Sequence, residues 1–334
     1  MSKTVLLLLL AITTANLHAA QTDPHQAVKE PASAWEPPAG LKQIAIWPNG
    51  VPDGAVVSQT LESMQLNTPP EVKPGREYTQ LLNVSKPTMT VFPPKGVNTG
   101  VAMVVFPGGG FRILAIDLEG TEICDWVTAR GMTCVLLKYR VPKGNHYWDK
   151  DCNCHITPKV PLALQDAQRT IRLVRASAKE LGIDPGKIGV IGFSAGGYLV
   201  AQTSNIFKST YKPVDAADKL SSRPDYAIAL YPGHLCRSGT RFDPTIHVTG
   251  QTSPTFLLQA WDDPVDKICN STLYARALND AGVSTEVHLF ARGGHAFGLR
   301  STPHPISLWP VLVESWLMEM EILPPSPAKS NSGN

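Results

Sequence analysis

The sequence predicts an α/β domain built on a mostly parallel central sheet with helices on both faces. Three observations predict it. Val101 to Phe106 is a continuous apolar run, as a strand buried on both faces would read, and further short strands are read at Cys134 to Tyr139, Ile188 to Ile191, Tyr226 to Leu230, Thr255 to Gln259 and Glu286 to Phe290. Longer segments of helical period lie between most of them, the pattern of crossover connections. Several of the runs end in glycine-rich loops, which punctuate strand ends.

Taken in order, residues 1 to 20 have a signal layout: Lys3, the apolar run Val5 to Ile12, then the small pair Ala19-Ala20. That run falls far short of the ~20 apolar residues of a spanning helix, so an exported chain without a membrane span is expected. Residues 21 to 74 are rich in Pro, Gly and polar residues and read as an irregular leader draped over the core, with one apolar stretch at Ile44 to Trp47. The domain itself is read over residues 75 to 323. It begins with two short strands, Leu81 to Val84 and Met89 to Phe92, around the turn Ser85-Lys86-Pro87. Helices are expected at Leu118 to Arg130, Leu162 to Leu181, Ser271 to Ala281 and Ile306 to Glu321. The second carries Leu164, Ala167, Ile171, Val174, Ala178 and Leu181 on one face and closes at Gly182. Residues 324 to 334 read as a disordered tail.

With 43% hydrophobic and 17% charged residues in 334, the chain can bury a large core and is too apolar to be disordered. Its 30 Lys and Arg against 28 Asp and Glu supply no basic field, so nucleic acid is not an expected partner. Six cysteines are free to pair in an exporting compartment. Cys236 and Cys269 each follow a strand of the sheet and are expected to bond to each other. Cys124 and Cys134 lie in apolar segments and read equally well as small buried hydrophobes. Cys152, Cys154 and His155 resemble half of a zinc site, but no second pair stands at the required spacing, so neither metal nor cofactor is expected.

The chemistry is carried by four loops. Gly192-Phe193-Ser194-Ala195-Gly196 joins an apolar strand to a helix, the context in which a GxSxG turn exposes a serine hydroxyl. A serine needs a base. Of nine histidines, His295 stands in a glycine loop past the last strand, at the sheet edge where parallel-sheet sites form. A carboxylate must orient that imidazole, and Asp262-Asp263 follows the preceding strand. Finally, Pro107-Gly108-Gly109-Gly110 follows the first long strand, and amides of Gly109 and Gly110 together with that of Ala195 can bind an oxyanion.

The order Ser, Asp, His, each after its own strand, is that of α/β-hydrolases. With Leu137-Lys138-Tyr139-Arg140-Val141-Pro142 and Leu164-Gln165-Asp166-Ala167-Gln168-Arg169, the chain from about Val101 to Leu317 resembles the hormone-sensitive-lipase-like esterases, and most closely bacterial acetylxylan-esterase-like proteins. The resemblance implies a secreted serine carboxylesterase acting on short acyl esters of plant polysaccharide fragments, with a small-molecule or oligosaccharide ester as partner. It also favours Asp263 over Asp262 as the triad acid, because related acids commonly precede Pro and an aliphatic residue. Two departures bear on the pocket: Pro107 stands where relatives commonly have His, and Tyr198 follows the elbow where they often have His. Phe111, Trp261 and Phe297 are expected either to stack on sugars or to narrow the acyl pocket. Residues 143 to 159 read as an insertion that is either a lid or sugar platform or a disulfide-pinned surface loop. The same fold hosts general esterases, lipases and peptidases, though a peptidase is expected to carry an access-restricting domain, and a silent binding protein would lack use for the triad. The oligomeric state is not legible in the sequence.

Overall fold

A computed structural model describes residues 34–53, 60–67, 77–141, 148–149, 154–155 and 161–325. Residues 1–33, 54–59 and 68–76, most of the 143 to 159 insertion and residues 326–334 of the tail lie outside the described residues. So do the side chains of Cys152, Cys154 and His155; of that insertion only the paired backbones of Trp148–Asp149 and Cys154–His155 are described.

The core is an eight-stranded sheet. Its strands are β1 (Ile44–Ala45), β2 (Thr88–Phe92), β3 (Ala102–Phe106), β4 (Thr133–Lys138), β5 (Ile188–Phe193), β6 (Ala227–Leu230), β7 (Thr255–Ala260) and β8 (Thr285–Phe290). In space they run β1-β2-β4-β3-β5-β6-β7-β8, with β2 antiparallel to both its neighbours and all other pairs parallel. Every residue of β3 to β7 is buried, which is why these strands read as unbroken apolar runs rather than alternating ones. Parallel strands need crossovers, and the helical segments supply them. Helices α1 (Glu122–Ala129) and α5 (Trp309–Glu319) pack together, Trp126 against Trp309 at 5.2 Å and Trp126 Nε1–H donating to Glu314. Helices α2 (Pro161–Ala176), α3 (Ala195–Asn205) and α4 (Cys269–Asp280) form the other layer, joined by Gln168 to the Ile206 carbonyl and by Asn205 to the Tyr274 hydroxyl.

One expectation is corrected and two that were left open are decided. The two strands expected around Ser85-Lys86-Pro87 form, in different sheets: Tyr78–Leu82 joins a separate three-stranded sheet with Ser63–Asn67 and Ile113–Ala115, while β2 enters the main sheet beside β4. The turn between them is a crossing from one sheet to another. The long helix expected to Leu181 ends at Ala176, Ser177 leaving helical geometry before the one-turn helix Ala178–Leu181 closes on left-handed Gly182. Cys124 and Cys134 are not lone hydrophobes but bond to each other, α1 to β4. The Cys236–Cys269 bond forms as expected, because β6 and β7, the strands that precede these residues, are neighbours.

The leader has few long elements in its described part. It is tied down where it passes the core: Trp47 Nε1–H donates 2.7 Å to Asp166, and Arg140 bonds Asp166, Gln165 and the Pro52 carbonyl. The two motifs that surround Arg140 and Asp166 therefore build scaffold, not chemistry. No helix among the described residues is long and apolar enough to cross a membrane.

Candidate active site

The site gathers at the carboxyl ends of β3, β5, β6, β7 and β8, where the loops of a parallel sheet converge. Ser194 ends β5 and begins α3 with φ 52° and ψ −116°, a left-handed conformation that a side chain adopts only under constraint. The constraint is close packing. A Cβ at Gly196 would lie 2.0 Å from the Phe106 carbonyl oxygen, so only glycine lets α3 start this near to β3. Backbone bonds from Ser194 N–H to the Leu230 oxygen and from Gly233 N–H to the Ser194 oxygen fix the turn to the neighbouring strand.

The loop after β8 holds His295, whose Nδ1 lies 2.8 Å from Asp263 Oδ2. With Nδ1–H donating to the carboxylate, the imidazole's lone pair lies on Nε2, which stands 3.8 Å from Asp266. The two adjacent aspartates divide their work, as side chains pointing opposite ways should. Asp263, its side chain fully buried, reaches the imidazole and caps its own turn through the N–H groups of Val265 and Asp266. Asp262 accepts from the N–H groups of Gly293 and Gly294, both at 2.8 Å, and so shapes the loop that carries His295.

Across Ser194 lies the glycine loop. The Gly108 N–H is taken by buried Glu119 at 2.8 Å, whereas those of Gly109, Gly110 and Ala195 meet no acceptor among the described residues. A Cβ at Gly108 would fall 2.6 Å from both the Glu119 carboxylate and the Phe193 carbonyl, so the loop can approach the elbow only as glycine. Free amides beside a helix amino terminus are the arrangement that holds a developing oxyanion.

Three participants were not singled out from sequence. Asp266 places Oδ2 3.3 Å from Ser194 Oγ and 3.8 Å from His295 Nε2, so the hydroxyl of the serine donates to this carboxylate. Glu119 binds both Gly108 and the hydroxyl of Tyr231, and the Tyr231 ring stands edge-on to His295 at 4.9 Å. Only Glu119, within an apolar segment just past the glycine loop, leaves a trace in the sequence; Asp266 and Tyr231 look like ordinary loop residues.

Charge in the site is uneven. Burial pushes the Glu119 carboxyl up, against the bonds from Tyr231 and Gly108. Burial likewise lifts Asp266 to about 6, with nearby Asp263 adding to it and His295 opposing. For His295 burial disfavours the charge, but the Asp263 hydrogen bond and the charges of Asp266, Asp263 and Glu119 outweigh it and raise the imidazole above its usual value. Of the aromatic residues near the motifs, Phe111 and Phe297 are buried, Phe297 against Tyr231, and offer no face to a sugar; Trp261 is 59% exposed. Tyr198 is buried and donates to Asp243, 2.8 Å away. No group of three or more His, Cys, Asp or Glu positioned to hold a metal occurs among the described residues.

Comparison with known proteins places this geometry among relatives. The BD-FAE family model matches residues 101–222 and that of the prolyl oligopeptidase family residues 162–307. An acetylxylan esterase of Xylanibacter ruminicola is 29% identical over 247 residues, 65% of this chain, but the match spans only 45% of that protein. A carboxylesterase of Mycobacterium tuberculosis is 26% identical over 70% of this chain and 79% of its own length. Among solved structures, an acetyl ester-xyloside bifunctional hydrolase from Caldicellulosiruptor lactoaceticus superposes with a TM-score of 0.63 at 30% identity, over 84% of this chain and 97% of that one. A propionate-bound esterase of Thermogutta terrifontis gives 0.58 at 26%, over 72% and 92%.

Proposed function

Because the chain belongs to the esterases of the α/β-hydrolase fold, we propose that it is an exported serine carboxylesterase that removes acetyl and other short acyl groups from carbohydrate. The observation that carries the mechanism is the bond between Asp263 and His295 beside a strained Ser194. In this reading Ser194 Oγ attacks the ester carbonyl carbon as its proton passes to His295 Nε2. The tetrahedral oxyanion is held by amides of Ala195 and of Gly109 or Gly110, each such donor supplying about 3 to 4 kcal/mol to the transition state. The C–O bond to the alcohol then breaks, and the imidazolium returns the proton to the leaving oxygen. Water, deprotonated by the same nitrogen, attacks the acyl carbon; the bond to Ser194 Oγ then breaks, Oγ takes the proton back from the imidazolium, and the acid leaves. Asp263 stays ionised throughout, fixing the tautomer and stabilising the imidazolium.

The carbohydrate substrate is supported by the names of two relatives, the acetylxylan esterase and the acetyl ester-xyloside hydrolase. Export is supported by the signal layout of residues 1 to 20 and by two disulfides, which persist in oxidising compartments. The test is acetate release from acetylated xylan compared with hydrolysis of simple esters of increasing acyl length. Faster cleavage of acetyl esters, abolished in Ser194→Ala, is the expected result; faster cleavage of long-chain esters would make the protein a lipid esterase. The prolyl oligopeptidase match gives the peptidase reading a place in the same experiment, through a prolyl anilide that this enzyme should leave intact.

A further inference from the structure

We propose that Asp266 is a specificity-determining residue that reads the alcohol half of the ester, selecting alcohols with a free hydroxyl next to the ester oxygen over alkyl or aryl ones. The inference rests on the esterase reading above and deepens it.

Asp266 occupies a built position. Its N–H donates to Asp263 Oδ1 at 2.9 Å, and its carbonyl accepts from Gln259 Nε2 at 2.7 Å. Gln259 is itself buried in β7 and held by the Ser271 hydroxyl. Beneath the carboxylate lies Gly233, where a Cβ would fall 2.8 Å from both acid oxygens. Backbone and glycine together wedge a carboxylate, its side chain only 16% exposed, between the serine turn and the acid turn.

This carboxylate does not belong to the proton relay. Asp263 already holds Nδ1 of His295, and Asp266 stands on the other side of the ring, 3.8 Å from Nε2. A leaving alcohol must take its proton from Nε2, so its oxygen passes within hydrogen-bond reach of that nitrogen. Since Asp266 Oδ2 also lies 3.3 Å from Ser194 Oγ, the atoms it faces are those bonded closest to the ester oxygen on the alcohol side. Partly acetylated sugars carry a hydroxyl there.

The chemistry then discriminates in both directions. An ionised carboxylate only accepts, so a neighbouring hydroxyl is bound, whereas an alkyl or aryl group covers the acid and leaves it unpaired. Unpaired burial of such a group is costly, and an anionic alcohol would meet like charge. The hydroxyl has a second consequence. It replaces Ser194 as the donor to Asp266, and the freed Oγ–H can turn to Nε2, so the nucleophile is released by the substrate it is built for. The groups that face Asp266 are Ser194, His295 and Asp263, with Glu119 behind Tyr231. Its own titration, lifted by burial to about 6, leaves it ionised at neutral pH.

The experiment compares kcat/KM on two acetylated methyl xylosides that differ only in the hydroxyl beside the ester, free in one and O-methylated in the other. The wild-type enzyme should prefer the free hydroxyl by about tenfold or more, the range of a hydrogen bond to a charged group. In Asp266→Val this ratio should collapse to within about twofold of unity. Gly233→Ala, which displaces the acid without removing it, should lower the ratio in the same direction and serves where the first variant does not fold. Equal slowing of both xylosides in the variants, or a wild-type ratio near one, overturns the assignment of Asp266 while leaving the esterase intact. A wild-type enzyme that cleaves 4-nitrophenyl acetate but neither xyloside overturns the carbohydrate reading and this inference with it.

Discussion

Two buried acidic clusters in this molecule are made of the same parts and behave in opposite ways. Around Asp166, both oxygens are occupied: Oδ1 by Trp47 Nε1 and the Arg140 guanidinium, Oδ2 by the Arg140 N–H and Nε. One buried cation matches one buried anion. Around His295, the carboxyls of Asp263, Asp266 and, behind Tyr231, Glu119 surround a single imidazole, and among the described residues Asp266 has only a serine hydroxyl and a distant ring nitrogen as side-chain partners. Saturated charge makes scaffold, and undercompensated charge makes a group that exchanges protons and partners.

The sharpest way to break the comparison is to remove members of the second cluster. Ser194→Ala and His295→Ala should each cost on the order of 10⁶-fold in kcat with an unchanged melting temperature, and the double variant should be no slower than either, because the pair acts as a unit. Additive losses in steady-state assays would show that they do not share one proton transfer. Next in size, Asp263→Asn should lower turnover by about 10⁴-fold through the wrong imidazole tautomer. Asp262→Asn should cost at most about a hundredfold, the worth of charge-assisted bonds to Gly293 and Gly294. The reverse ranking would hand the acid's role to Asp262.

The first cluster should respond in stability rather than rate. Arg140→Met leaves Asp166 buried and unpaired and should destabilise the fold by about 3 to 5 kcal/mol in urea unfolding. The folded enzyme assayed at low temperature should keep its kcat. A variant that lost rate instead would place Arg140 in the chemistry.

Smaller effects sharpen the charge argument. A base works only when neutral, so with His295 as the proposed base activity should be lost as pH falls through its pKa, and a raised pKa should move that loss to higher pH than an ordinary imidazole near 6.5 would give. Asp266→Asn removes one of the charges that favour the imidazolium and should shift the acid limb of kcat/KM downward. An upward shift would contradict the electrostatics. Smallest of all, Trp261→Ala should raise KM for acetylated xylo-oligosaccharides a few-fold and leave small acetate esters alone, if its exposed ring meets sugar.

The sequence carries this much of the molecule because some features are local. Buried strands such as Val101 to Phe106 and Ile188 to Ile191 declare themselves by unbroken apolarity. The elbow around Ser194 declares itself by glycines that permit a turn no other residue fits. The loop place of His295 follows from strand order alone. What failed was pairing at a distance. Nothing in Leu81 to Phe92 tells that its two strands belong to different sheets, because each is satisfied by partners far along the chain, Ile113–Ala115 in one case and Thr133–Lys138 in the other.

By itself, then, the sequence determined the alternation of strands and helices, the loops that bear Ser194, His295 and the aspartate pair, and the residue types able to do acyl transfer. Only the tertiary structure decided which of Asp262 and Asp263 reaches the imidazole, that Glu119 grips the glycine loop, and that Asp266 stands over the Ser194 hydroxyl. The physical reason is the range of the forces involved. Periodicity and turn chemistry act within a few residues, whereas a carboxylate is given its partner and its charge by whatever the fold packs against it.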